Sequence, residues 1–136
     1  MENNALVIDD DKNIRDLVGD LLRSAGFEVI SCRNGGEAME AVKNTCFRVI
    51  ITDYRMPGMQ GTEVARLMRS RCPRAFIIGI SINCLEREFV AAGANVFIPK
   101  LFIIPELMSF LERMAITENG TAKGTTGAAR PISEKI

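Results

Sequence analysis

Histidine is missing altogether from this 136-residue chain, and with it go the commonest general base and every histidine-dependent triad. Without histidine a zinc site would need thiolates, and the four cysteines, Cys32, Cys46, Cys72 and Cys84, form no CxxC pair. They are expected to be reduced, partly buried thiols. An excess of one charge is also lacking: 17 Lys and Arg balance 17 Asp and Glu. No net field therefore draws the chain to nucleic acid or to an anionic membrane. No apolar stretch reaches membrane-spanning length, and the opening Met-Glu-Asn-Asn is not a signal peptide. The expected location is the cytoplasm. What remains is globular composition, 47% hydrophobic and 25% charged, in a length that suits one domain.

Four short apolar runs each end in a residue able to handle phosphate. Ala5 to Ile8 runs into Asp9 and Asp10, and Val49 to Thr52 runs into Asp53. Phe76 to Ile80 ends at Ser81, and Val96 to Pro99 ends at Lys100. Between the runs the apolar spacing turns helical. Ile14, Leu17, Val18, Leu21, Leu22 and Ala25 form one stripe, with Gly26 at a C-cap position. A second strand is expected at Phe27–Ile30 and a helix at Gly36–Asn44. Pro57, Gly58 and Gly61 mark a loop after Asp53, and Thr62 is the expected cap of the next helix, which Cys72-Pro73 ends. A short helix follows around Leu85–Ala92, stopped by Gly93, and a last one runs from beyond Pro105 to about Ala115.

Five alternations of strand and helix imply a parallel α/β sheet covered on both faces. The expected topology is a doubly wound, flavodoxin-like sheet of order 2-1-3-4-5. That order makes the Lys100 strand an edge, where Pro99 is tolerated. It also brings acids, hydroxyl and ammonium to one carboxyl edge, where ligands bind in such sheets. The domain is expected over residues 1–116. From Thr117 to Ile136 the composition turns to Gly, Thr, Ala and charge, expected as a flexible polar tail.

The segments Leu6-Val7-Ile8-Asp9-Asp10 and Asp53-Tyr54-Arg55-Met56-Pro57-Gly58-Met59-Gln60-Gly61 resemble a response-regulator receiver domain of two-component signalling, CheY-like. Ala92-Gly93-Ala94 and the strand ending in Lys100 match in the same register. The resemblance implies that Asp53 accepts a phosphoryl group from a phosphohistidine on a histidine kinase or phosphotransfer protein. It further implies Mg²⁺ held by Asp10, Asp53 and the Arg55 backbone carbonyl, with Asp9 acting through water. Lys100 and Ser81 would assist transfer, and Ser81 and Phe97 would switch a partner-binding face between about Leu85 and Met114.

Physical chemistry agrees with that assignment. Two carboxylates about 4 Å apart repel by roughly 4 kcal/mol at an effective dielectric of 20, which a divalent cation and an ammonium relieve. A carboxylate nucleophile is already ionised at neutral pH, so no histidine base is needed. The implied downstream partner is an unidentified protein, with no direct nucleic-acid or membrane contact, and the expected state is a monomer or weak dimer. The implied module is a stand-alone phosphoacceptor, catalysing only its own phosphorylation and dephosphorylation.

Three features depart from the family pattern. Ile82 stands where a small residue usually follows the hydroxyl, and Leu101 replaces the proline after the lysine. The segment from Ser81 to Gly93 is about one helical turn short, so an abbreviated fourth helix is expected. Two other readings remain open at this stage. One is a degenerate receiver that binds partners without phosphorylation. The other is a haloacid-dehalogenase-like phosphatase using Asp9 as nucleophile and Asp11 as acid. Against the phosphatase, Asp11 equally suits the N-cap of the first helix, and Asp53 would go unexplained.

Overall fold

The computed structural model describes residues 3–119. Along it alternate β1 (Asn4–Ile8), α1 (Lys12–Ser24), β2 (Glu28–Cys32), α2 (Gly35–Ala41), β3 (Val49–Asp53), α3 (Gly61–Arg71), β4 (Phe76–Ser81), α4 (Glu86–Ala91), β5 (Val96–Pro99) and α5 (Ile103–Asn119). The strands form one parallel sheet in the expected order, β2-β1-β3-β4-β5. β1 and β3 are buried along their whole length, which is why both read as unbroken apolar runs rather than alternating ones.

Alternate residues of each strand feed two cores. Ala5, Val7, Val49, Ile51, Ile78 and Ile80 pack against Val18 and Leu22 of α1 and Leu107 and Leu111 of α5. Leu6, Ile8, Ile50, Ile77 and Phe97 pack against Ala38, Val64, Ala65, Met68 and Phe89 of α2, α3 and α4. Sheet and helices thus hold one carboxyl edge rigid. Among the described residues no helix is long and apolar enough to cross a membrane.

Local chemistry sets the ends of the elements. Asp11 caps α1 by accepting from the Asn13 N–H. The same helix stops in a Schellman motif: Gly26 (φ +93°) donates to the Arg23 carbonyl and Phe27 to that of Leu22. The Phe27 N–H is therefore spent on the helix end, and β2 runs over Glu28–Cys32 instead of the expected Phe27–Ile30. Asn34 caps α2 through the Glu37 N–H, so that helix begins at Gly35 and closes at Ala41, well before Asn44.

α3 begins at Gly61, not after Thr62, and Gln60 at its N-cap makes no side-chain capping bond. The Gly61 N–H donates to the Tyr54 carbonyl at 2.7 Å, folding the Pro57–Gly58 loop back onto β3. A 3-10 turn at Lys100–Phe102 leads into α5, which takes Pro105 into its first turn, where the missing N–H costs no helix bond. α5 continues to Asn119; the rest of the expected tail lies outside the described residues.

One expectation about the cysteines is corrected. Cys46 and Cys72 are joined as a disulfide with Cα atoms 5.6 Å apart, while Cys32 and Cys84 are free. The loop before β3 and the end of α3 meet only in the folded chain, 26 positions apart, so no sequence spacing signals the pair.

A Cβ at Gly61 would overlap the Asp53 carbonyl. Gly61→Ala is expected to destabilise the fold by roughly 1–3 kcal/mol in urea denaturation; an unchanged midpoint would refute this account of the turn.

Candidate functional site

Strand register levels the residues that carry the chemistry. Ile8 lies opposite Thr52, Asp53 opposite Ile80 and Ser81 opposite Pro99. Asp9 and Asp10 follow β1, Asp53 and Ser81 end their own strands, and Lys100 opens the turn after β5. All five therefore arrive at one edge of the sheet.

There the Lys100 ammonium lies 3.1 Å from Asp9 Oδ2 and 3.1 Å from Asp53 Oδ1. The Asp9 side chain is fully buried, and those of Asp53 and Lys100 are 6% and 14% exposed. The other ion pairs measured among the described residues join side chains three or four apart on exposed surface, where such pairs contribute little. Asp10 is exposed and adds a third carboxylate, with one oxygen from each of Asp9, Asp10 and Asp53 within 4.8 Å of one another.

Asp9 is held from two sides. Its Oδ1 accepts from the Asp11 N–H at 2.9 Å, and its backbone carbonyl accepts from Arg15 Nη1 at 2.8 Å. Burial pushes the Asp9 carboxyl up to about 6; the Asp53 charge adds to the rise, while the Asp11 N–H and Lys100 oppose it. Burial also works against the Lys100 charge, but Asp9 and Asp53 outweigh it and hold the ammonium above its ordinary value. With three acids against one amine, the cluster has capacity for a further cation. An all-oxygen donor set facing open solvent on one side suits Mg²⁺, which keeps several of its waters.

The cluster opens into a crevice of about 760 Å³ whose walls include Asp10, Asp53, Arg55, Ser81 and Lys100. Ser81 is buried, and its Oγ accepts from the Asn83 N–H at 3.0 Å. That bond leaves the hydroxyl proton free to be donated. Ile82, Leu101 and Phe102 line the same crevice; the first two are 82% and 85% exposed. No cis peptide occurs among the described residues, so Lys100–Leu101 is trans and the lysine still reaches both acids.

Phe97 is fully buried, its ring stacked on Phe89 with centroids 5.8 Å apart. Sequence reasoning missed Arg15, which anchors the Asp9 carbonyl, because a cation on an amphipathic helix looks like any solvated one. It also missed Phe102, whose place at the crevice comes from the 3-10 turn. Asp11 lines the crevice too, but its carboxyl is committed to the α1 cap.

A family model described as the response regulator receiver domain matches residues 5–112. The DNA-binding transcriptional regulator NtrC of Escherichia coli K12 is 33% identical over 110 residues, 79% of this chain but 24% of that protein. The chain spans less than half the length of the curated relatives it matches. Among solved structures, the response regulator TrrA of Thermotoga maritima, in complex with Mg²⁺ and BeF, is 30% identical with a TM-score of 0.73. The match covers 84% of this chain and 99% of that one. The chemotaxis response regulator CheY4 of Vibrio cholerae is also 30% identical, with a TM-score of 0.75 over 83% and 98% of the two chains.

The raised Asp9 carboxyl gives a sign for pH dependence. The folded state holds this proton more tightly than the unfolded chain, so the associated stability is complete below about pH 4 and fades as pH rises through about 6. In Mg²⁺-free buffer the melting temperature of the native protein should fall more between pH 5 and 7.5 than that of Asp9→Asn. Equal slopes in the two proteins would remove Asp9 as the cause.

Proposed function

The chain belongs to the response regulator receiver domain family, and from that premise we propose that it accepts a phosphoryl group on Asp53 and thereby switches a partner-binding face. The observation that carries this reading is Lys100, 3.1 Å from both Asp9 and Asp53 at the floor of an open crevice. The donor is a phosphohistidine on a histidine kinase or phosphotransfer protein.

One Asp53 oxygen attacks phosphorus, forming the O–P bond as the N–P bond breaks. The electron pair of the broken bond stays on the imidazole nitrogen, which takes its proton from solvent. Asp53 needs no base, because it reacts as the carboxylate. Lys100 lies beside the equatorial oxygens of the transferring group and offsets their charge. Asp10, Asp53 and the Arg55 carbonyl would hold Mg²⁺, with Asp9 acting through water; the oxygens of Asp9, Asp10 and Asp53 that lie within 4.8 Å of one another support this reading. When bound, Mg²⁺ supplies charge neutralisation and fixes the orientation of phosphoryl oxygens. The Ser81 hydroxyl, already tied to the Asn83 N–H, can donate to a phosphoryl oxygen and draw its loop toward Asp53.

Family membership displaces the phosphatase reading, since the Asp11 it required as acid caps α1. The degenerate-receiver reading is separated by experiment. Tyr54, next to Asp53, is the single tyrosine of a chain without tryptophan, so its emission reports on the site. Mg²⁺ followed by beryllofluoride should change that emission saturably, and Asp53→Asn should lose beryllofluoride binding by at least about 100-fold, of the order of 2.7 kcal/mol. Failure of the unmodified protein to bind either would establish the degenerate case.

Ile82 stands over the crevice as an exposed branched side chain, restricting the approach of water to a phosphorylated Asp53. Ile82→Ala should shorten the lifetime of the phosphoryl group severalfold, followed by release of inorganic phosphate. A lifetime equal to that of the unmodified protein would end the shielding idea.

A further inference from the structure

At the amino edge of the sheet, opposite the crevice, the Cys46–Cys72 disulfide joins the loop before β3 to the residue that ends α3. Its two cysteines differ sharply in access: Cys72 is 2% exposed, whereas Cys46 lies on the surface. A cavity of about 290 Å³ opens beside them, its walls including Asn4, Thr45, Pro73 and Arg74.

Backbone hydrogen bonds hold each cysteine in place without help from the S–S bond. The Cys46 carbonyl accepts from Asn4 Nδ2 at 3.0 Å, and Asn4 Oδ1 accepts from the Arg48 N–H at 2.9 Å. The Cys72 N–H donates to the Met68 carbonyl at 2.7 Å, and its own carbonyl accepts from the Ala75 N–H at 3.0 Å. Opening the disulfide therefore leaves both thiols where they can close again. The dithiol also has a partner at hand. Cys46 Sγ lies 3.4 Å from the Arg71 carbonyl, one of those a helix end leaves without an intrahelical donor. A disulfide sulfur has no proton to give that oxygen; a Cys46 thiol has one. Both oxidation states fit the same backbone.

We propose that Cys46–Cys72 is a reversible thiol–disulfide exchange site, attacked at Cys46 by a small anionic thiol of the glutathione class. Cys46 is the sulfur reached from solvent, and the exposed Arg71 and Arg74 beside it suit a carboxylate on the incoming molecule. The incoming thiolate bonds to Cys46 Sγ as the S–S bond breaks. The electron pair of that bond leaves on Cys72, which takes a proton from solvent. A second small thiolate then attacks the sulfur of the first and expels Cys46, which is protonated in turn. Two small thiols are oxidised to their disulfide as the protein gains two thiols, and the reverse reaction uses the small disulfide as oxidant. The bridged stretch holds β3, Asp53 and α3, so closure restricts the unfolded form of that segment. The site stands whether or not Asp53 accepts phosphate.

The protein is equilibrated with reduced and oxidised glutathione over ratios from strongly reducing to strongly oxidising, then acid-quenched, alkylated and mapped by mass spectrometry. The cross-linked 46–72 peptide should rise from under one-tenth to over nine-tenths across the series. With oxidised glutathione, Cys72→Ser should gain an adduct on Cys46 at least tenfold faster than Cys46→Ser gains one on Cys72. Cys84, exposed and free, controls for exposure alone: it should keep its adduct, where Cys46 resolves its own into the cross-link. Arg74→Glu should slow opening by glutathione severalfold but not opening by the cationic thiol cysteamine. The dithiol should melt roughly 10 °C below the disulfide form. A cross-link that persists at every ratio, or forms at none, would overturn the exchange site. Equal adduct rates on the two cysteines would overturn attack at Cys46, and equal slowing of both thiols by Arg74→Glu would overturn the anionic class.

Discussion

One ammonium shared between two buried carboxylates is the interaction on which the rest of this structure depends. Asp9 and Asp53 are nearly or wholly withdrawn from water, where like charges side by side are costly. Lys100 sits 3.1 Å from each and makes their company tolerable. Breaking such a group by removing one partner leaves uncompensated buried charge, which is why all three must be delivered together. The fold can be read as the means of delivery: β1, β3 and β5 end level with one another because their register is locked by two apolar cores.

The acids outnumber the amine, and that imbalance joins architecture to chemistry. A site fully neutralised by its own residues would have little use for a metal ion or a phosphoryl group. Here Asp10 stays in solvent and Asp9 holds its proton unusually firmly, so the cluster has capacity for a further cation. The turn around Gly61 serves the same end, folding the loop after Asp53 back against the strand and leaving the crevice open above it. Departures from the family pattern gather around this mouth. Ile82 and Leu101 are its most exposed apolar walls, and the shortened α4 begins just beyond it.

Much of this was legible in the chain. The unbroken apolar strands, the amphipathic α1 with its terminal glycine, and the strand order that puts Pro99 at an edge all follow from local pattern. The site acids and Lys100 stood out because each closes such a run. Less was legible where two local signals competed. Thr62 looked like a cap, yet the close approach of backbone at Gly61 starts α3 earlier. Phe27 looked like strand, yet its N–H is taken by the end of α1. Ile30 belongs to β2 but stays half exposed, since the short α2 does not cover it.

By itself, then, the amino-acid order determined which segments alternate between strand and helix, and which side chains stand at the strand ends. Those are consequences of periodicity and turn chemistry, forces that act within a few residues. Only the tertiary structure decided that Lys100 serves Asp9 and Asp53 equally without a proline behind it, and that Cys46 meets Cys72. It likewise decided that Phe89 fills the space Gly79 leaves. These pairings span 10 to 91 positions of chain; they are set by close packing of surfaces that exist only once the sheet and its helices have assembled.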